Sequence, residues 1–431
     1  MMEFVNEQRS KAILEHARHL RDQADRKVAR LRQLEPLLLD ISLREASVGS
    51  RAGQTLAEKL EILPRLRAFG FTNIILGTLN YPGPDELEVD DDFMMYLRDQ
   101  QADLTGCFAL TSVGTLNASG EFSPDPSLLK LKAYGVPNTI LEIHLSQAGM
   151  APLYDLEALS RSLPASIRWL HDNLRGGRPR IIVNIVDGCD AFADHLEVVC
   201  SMLDLLANQP IEGVSFQDER GTFLPLQVGS YTAIARSMLP PPLKLLVHVH
   251  GGAGFENASV MEALLNGADG AWGALARCGP VIGHACLGEL IANLVRVGNP
   301  HMQHYQLQQL LPLVAELWGS KELHAATRLS MLGDEAHRLP LEVFRQEPGR
   351  FMDLPPESLG GTYRYRVTPV ATDRPALGNR LAEVTGRPIA DFPGRVLDEM
   401  MRLMRRDQRE GKRLIYDDAE NLLALYARAS G

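Results

Sequence analysis

Cysteine is scarce in this chain and carries no pattern: the five residues Cys107, Cys189, Cys200, Cys278 and Cys286 show no CxxC spacing. A disulfide framework and a structural zinc knuckle are therefore not expected. Positive charge is also short, with 44 Lys and Arg against 54 Asp and Glu and a formal net charge of -10. With no cationic surplus to neutralise phosphates, neither nucleic acid nor an anionic membrane is an expected partner. Apolar runs stay well below the roughly 20 residues of a membrane-spanning helix. The segment Met1 to Arg32 is charged and helix-like rather than a signal peptide, so a cytoplasmic protein is expected. What the chain does have is material for a core. Its 431 residues are 45% hydrophobic and 23% charged, enough for one large domain plus an appendage.

From about residue 36 a short apolar run rich in branched residues alternates with a longer amphipathic stretch. Eight runs recur: Leu37 to Leu43, Thr72 to Gly77, Leu104 to Thr111, Asn138 to Leu145, Arg180 to Val186, Gly213 to Gln217, Leu243 to His250 and Ala268 to Trp272. Continuous hydrophobicity suits parallel strands covered on both faces. Eight such units within roughly 250 residues predict an α/β fold, a (β/α)8 TIM barrel over 36–300. A doubly wound open sheet is the competing architecture, but no GxGxxG follows the first run. Residues 1–35 read as an N-terminal helical segment and 301–431 as a mainly helical extension. That extension holds helix-like stretches at His304 to Leu317 and Lys321 to Leu332, a Pro/Gly-rich stretch from Pro340 to Pro375, and an amphipathic pair from Val396 to Arg428. It reads as a helical cap or a dimerisation element, and the protein as a homo-oligomer.

Barrel enzymes carry their chemistry at the C-terminal ends of the strands. The seventh run ends in His248-Val249-His250-Gly251-Gly252-Ala253-Gly254. Alternate strand residues face one side, so the two imidazoles can address one ion, and the glycines let a loop close over it. Taken alone, the pair reads equally as a polar strand end satisfied by its neighbours. Other strand ends are polar too: Asp40-Ile41-Ser42-Leu43-Arg44-Glu45 on the first, Glu142-Ile143-His144 on the fourth, Gln217-Asp218-Glu219-Arg220 on the sixth. Imidazoles and carboxylates converging from neighbouring strands suit a divalent metal. Asp218 has a second reading, as a turn or helix cap.

The order of these motifs resembles the DRE-TIM metallolyases, the family of isopropylmalate, homocitrate and citramalate synthases, hydroxymethylglutaryl-CoA lyase and 4-hydroxy-2-oxovalerate aldolase. The resemblance spans about residues 36–296. The family's D-x-x-L-R-D-G is similar to Asp40 to Glu45, its D-T-x-G-x-x-x-P to Asp218 to Pro225, and its H-x-H with a glycine-bearing loop to His248 to Gly254. The resemblance implies that His248 and His250 bind a divalent metal and that Arg44 stabilises an enolate or oxyanion. It places Glu45 at the family's aspartate ligand and His284, in Gly283-His284-Ala285, at its asparagine ligand. Three imidazoles and one carboxylate favour zinc, manganese, iron or cobalt, with magnesium as the oxygen-preferring alternative.

Departures from the family pattern are as informative. Its strand-two glutamate falls on Ile75, and its strand-five acid near Asp187. The Asn-Asp after the second histidine is Gly251-Gly252, and Cys278 reads as an inert thiol. The expected activity is formation or cleavage of a carbon-carbon bond on a 2-oxo or 2-hydroxy acid, a small carboxylic acid substrate joined by an acyl-CoA in the synthases. Asp218, His144 and Glu142 are candidates for acid-base or orienting roles. Two alternatives accompany it: a barrel that binds or regulates without catalysis, and a diverged metal-dependent hydrolase or decarboxylase. Nothing in the tail resembles the regulatory domain of leucine-pathway synthases, so feedback inhibition by an amino acid is not expected.

Overall fold

The fold is described from a computed structural model, which covers residues 2–44, 53–80, 87–117, 119–146, 156–174, 178–276, 283–310, 313–314, 316–317, 338–339, 341 and 363–431. Eight parallel strands close into a ring: β1 Leu37–Asp40, β2 Ile74–Thr78, β3 Cys107–Ser112, β4 Asn138–Ile143, β5 Ile181–Ile185, β6 Gly213–Asp218, β7 Lys244–Val249 and β8 Gly270–Gly273. Closure is made by β1, which pairs with β8 through Leu37 to Asp40 and with β2 at Asp40. Each of the eight apolar runs of the sequence is a strand. They are legible because residues such as Ile181, Ile182, Val183 and Ile185 are buried whichever way they point.

Crossover helices cover the ring: α2 Leu56–Phe69, α3 Val89–Asp99, α4 Pro126–Tyr134, α5 Leu156–Asn173, the short α6 Gly188–Asp194, α7 Leu196–Ala207, α8 Pro225–Met238, α9 Glu256–Leu265 and α10 Leu287–Arg296. Local chemistry sets their starts. Thr55 and Glu58 form a reciprocal capping box on α2, and Asp125 caps α4 with Pro126 in its first turn. A long helix, α1 (Met2–Gln33), precedes the barrel. Its end is tied down by Asn299, whose amide donates to the carbonyls of Leu31 and Leu34 at 2.7 and 2.8 Å.

Past residue 300 the structure departs from the sequence pattern. The stretch that begins at His304 opens in a single 3-10 turn at 307–309, after another at 300–302, rather than in a continuous helix. Tyr305 packs against Phe69 and Phe71, and the Gln306 N–H donates to the Phe69 carbonyl at 2.8 Å. That bond to the barrel replaces the helical ladder. The Lys321 to Leu332 stretch lies outside the described residues. The barrel core continues to Met302, Tyr305 and Leu317, and a second core forms between α11 Arg374–Thr385, α12 Gly394–Arg409 and α13 Ala419–Ser430 around Leu377, Met400, Met404 and Leu422. Among the described residues no helix is long and apolar enough to cross a membrane.

Candidate metal centre

Three histidines meet at the C-terminal mouth of the ring. His248 is on β7 and His250 just past it, while His284 arrives on the loop leading into α10. Backbone pairing sets their register: His250 bridges His284, Gly251 N–H donates to Gly283 O at 3.0 Å, and Ala285 N–H donates to Val249 O at 3.0 Å. Ring centroids lie 4.9 Å apart for His248 and His250, 4.4 Å for His248 and His284, and 4.3 Å for His250 and His284. One nitrogen from each ring falls within 4.8 Å of the other two.

The tautomer of His248 is fixed from behind. Its Nδ1–H donates to the Trp272 carbonyl at 2.8 Å, which leaves the Nε2 lone pair for the centre. The same ring stacks on the Trp272 indole at 3.6 Å, and that indole is held by a bond from its Nε1–H to Ser215 Oγ at 2.7 Å. Burial holds His248 at a pKa of about 3, and the positive charge of Arg44 pushes in the same direction. His250 is also held well below the ordinary histidine range, by burial, by His248 and by Arg44. Burial and the Arg44 charge thus favour neutral His248 and His250, the form that ligates a cation. The donor set therefore fits a divalent ion of the zinc, manganese, iron or cobalt type.

Arg44 follows β1, and its positive charge lowers the pKa of both imidazoles. The turn before it is braced: the Asp40 carboxylate accepts from Ser42 N–H at 3.0 Å and Ser42 Oγ at 2.9 Å, and Ser42 Oγ accepts from Leu275 N–H at 2.8 Å. Glu45 and Cys278 lie outside the described residues.

Asp218, at the end of β6, is almost fully buried and its carboxylate holds a loop. It accepts N–H bonds from Gly221 at 2.8 Å, Thr222 at 3.3 Å and Phe223 at 3.0 Å. Burial lifts its pKa to about 7 against the pull of those donors. Its loop is interlocked with the histidine loop through Ala253 N–H to Gly221 O, 2.8 Å, and His250 N–H to Asp218 O, 3.0 Å. A Cβ on Gly252 would stand 1.9 Å from the Arg220 carbonyl oxygen, so this backbone has no room for a side chain at position 252. Asp187 acts similarly after β5, accepting from the N–H groups of Leu145 and Ser146 at 2.8 and 2.5 Å.

His144 lies after β4, three strands round the ring from β7, so the structure does not add it to the trio. Two residues before it, Glu142 Oε2 accepts from Asn80 Nδ2 at 3.1 Å, and the same amide reaches Ser112 Oγ at 3.2 Å. Sequence reasoning missed Asn80 and Trp272. A tryptophan at the end of the eighth run was a usable signal for a platform under a strand-seven histidine. Asn80, in a loop two residues past β2, gave none.

No family model matches the chain. It is 21% identical over 413 residues to (R)-citramalate synthase of Streptomyces coelicolor, covering 90% of this chain and 75% of that protein. Among solved structures it resembles the hydroxymethylglutaryl-CoA lyase of Pseudomonas aeruginosa, with TM-score 0.53, 16% identity, and coverage of 69% of this chain and 97% of that one. It also resembles a lyase from Acinetobacter baumannii solved with coenzyme A and 3-methylmalate, with TM-score 0.52, 16% identity, and coverage of 67% of this chain and 91% of that one. The closed parallel ring is thus the fold of these lyase structures, and the strand-end motifs stand beside a 21% identity to a citramalate synthase.

Proposed function

We propose that this protein is a divalent-metal-dependent enzyme that condenses a 2-oxo acid with an acyl-CoA. The observation that carries the reading is the convergence of His248, His250 and His284 within 4.8 Å at the mouth. A bound divalent cation supplies Lewis acidity toward the carboxylate and neighbouring carbonyl of the acid. Glu45 is proposed as a fourth ligand. Trp272 holds His248 in the ligating tautomer, and Asp218 holds the loop on which His250 sits.

In the proposed reaction the acyl-CoA loses a proton from the carbon beside its thioester, and that carbon bonds to the carbonyl carbon of the acid. The carbonyl oxygen gains the negative charge, which the Arg44 guanidinium stabilises. His144 is the proposed proton acceptor, a role suited to an imidazole at a strand end. Water then cleaves the thioester, releasing a carboxylate and the free thiol.

The condensing direction is supported by the synthase alignment, which extends over 90% of this chain. The segment beyond the barrel thus has a counterpart in a synthase. Metal-loaded protein incubated with acetyl-CoA and a panel of 2-oxo acids should release thiol in an acid-dependent way. Arg44→Ala should lower the turnover by about 10² to 10³. No thiol release with any acid, alongside cleavage of a hydroxyacyl-CoA, would establish the lyase direction instead.

A further inference from the structure

Lys59 on α2 and Asp90 on α3 are both fully buried, and Lys59 Nζ lies 2.7 Å from Asp90 Oδ1. Neither group stops at the other. The Lys59 ammonium also donates to the Leu43 carbonyl at 2.6 Å, and Asp90 Oδ2 accepts from the Thr78 N–H at 2.9 Å. The pair thus joins the residue before Arg44 to the last residue of β2. A buried ion pair is a weak stabiliser, because desolvation offsets its attraction. Its geometry, though, fixes the backbone at the base of Arg44.

The same two helix starts are gripped from outside by the C-terminal extension. Gln408 Nε2 donates to the Gln54 carbonyl at 3.1 Å, Arg409 forks onto Asp92 with Nη2 2.8 Å from Oδ1, and Arg413 Nε lies 3.4 Å from Glu58 Oε1. Glu58 adjoins Lys59, and Asp92 is two residues from Asp90. Three contacts from the end of α12 and the residues just past it therefore converge on the starts of the two helices that carry Lys59 and Asp90.

We infer that Lys59 and Asp90 are positioning residues for Arg44 and that the C-terminal extension braces them through Gln408, Arg409 and Arg413. This rests on the role proposed above for Arg44. A guanidinium that acts on charge developing in the transition state affects kcat more than KM when it is misplaced. The extension is in this way part of the barrel's chemistry, although among the described residues it adds none to the histidine trio.

The test uses the full-length, metal-loaded protein with two readouts, the kcat and KM for the 2-oxo acid and the amide hydrogen exchange of peptides from 37–44. The variants are Lys59→Met, Asp90→Asn and the half-exposed double change Arg409→Ala/Arg413→Ala, which leaves the buried pair intact. Arg402→Ala, which loses a contact to Glu399 on the same helix, is the control. The double variant should lose about tenfold or more in kcat with KM changed less than about twofold, misplacement of a reacting group being that costly. Exchange at 37–44 should quicken while that of 244–250 stays constant, and Arg409→Lys/Arg413→Lys should recover most of the loss. Unchanged kcat or unchanged exchange at 37–44 in variants that fold would overturn the inference. If the unaltered protein turns over no 2-oxo acid, the functional reading fails separately, and exchange alone decides the positioning claim.

Discussion

At the scale of single residues, a carboxylate at a strand end is not thereby a base. Asp218 and Asp187 spend their oxygens on backbone N–H groups of their own or a neighbouring loop, and Asp40 holds Ser42. The sequence shows the acid but not the partner, since those partners are amides that every residue has. The histidines were more legible, because spacing two on a strand and glycines behind it limit what the side chains can do. Their protonation carries a consequence for stability. His248 has a folded pKa of about 3, below the roughly 6.5 of an unfolded histidine. The folded form therefore holds fewer protons between those values, and the contribution of this residue is present above about pH 6.5 and lost as pH falls toward 3. In metal-free protein, the stability gap between the native chain and His248→Gln should narrow by about 2 kcal/mol from pH 7.5 to pH 5. Denaturant melts in a chelator measure it, and a gap that does not change with pH would contradict the burial of a neutral imidazole.

Elements bring the residues together. The loops after β6, β7 and β8 are laced by backbone bonds: Ala253 to Gly221, His250 to Asp218, Gly251 to Gly283. His284 reaches the trio only because this lacing fixes its loop against β7, a tertiary pairing that no spacing in the sequence reveals. The family resemblance supplied it where periodicity could not. Gly252 is the tightest point of the lacing, and Gly252→Ala would press a methyl onto the Arg220 carbonyl. Overpacking of that kind costs about 1–3 kcal/mol. Because the strain falls on the histidine loop, metal affinity should drop about tenfold or more as well. Calorimetric melting and a metal titration check the two effects, and a variant with native values for both would show that the loops are free to separate.

At the scale of the whole molecule, the ring was the most legible feature. Parallel strands buried on both faces leave continuous apolar runs, and eight of them leave few architectures open. The extension was less so. Its helices α12 and α13 follow amphipathic patterns, but the path just after residue 300 is set by the barrel, which takes Tyr305 and Gln306 into its own packing. Where the extension grips its own barrel depends on side chains far apart in sequence, Arg409 with Asp92 and Arg413 with Glu58, and charge composition alone gives no such pairing. The reaction proposed for the molecule depends on one physical claim, that His248, His250 and His284 at the mouth hold a divalent cation. Elemental analysis of purified protein, native and His248→Ala/His250→Ala, tests it most directly. About one equivalent of a divalent transition metal in the native protein, lost in the double variant, is the expected result for a site of this donor set. A native protein that binds no such metal even after reconstitution would contradict it.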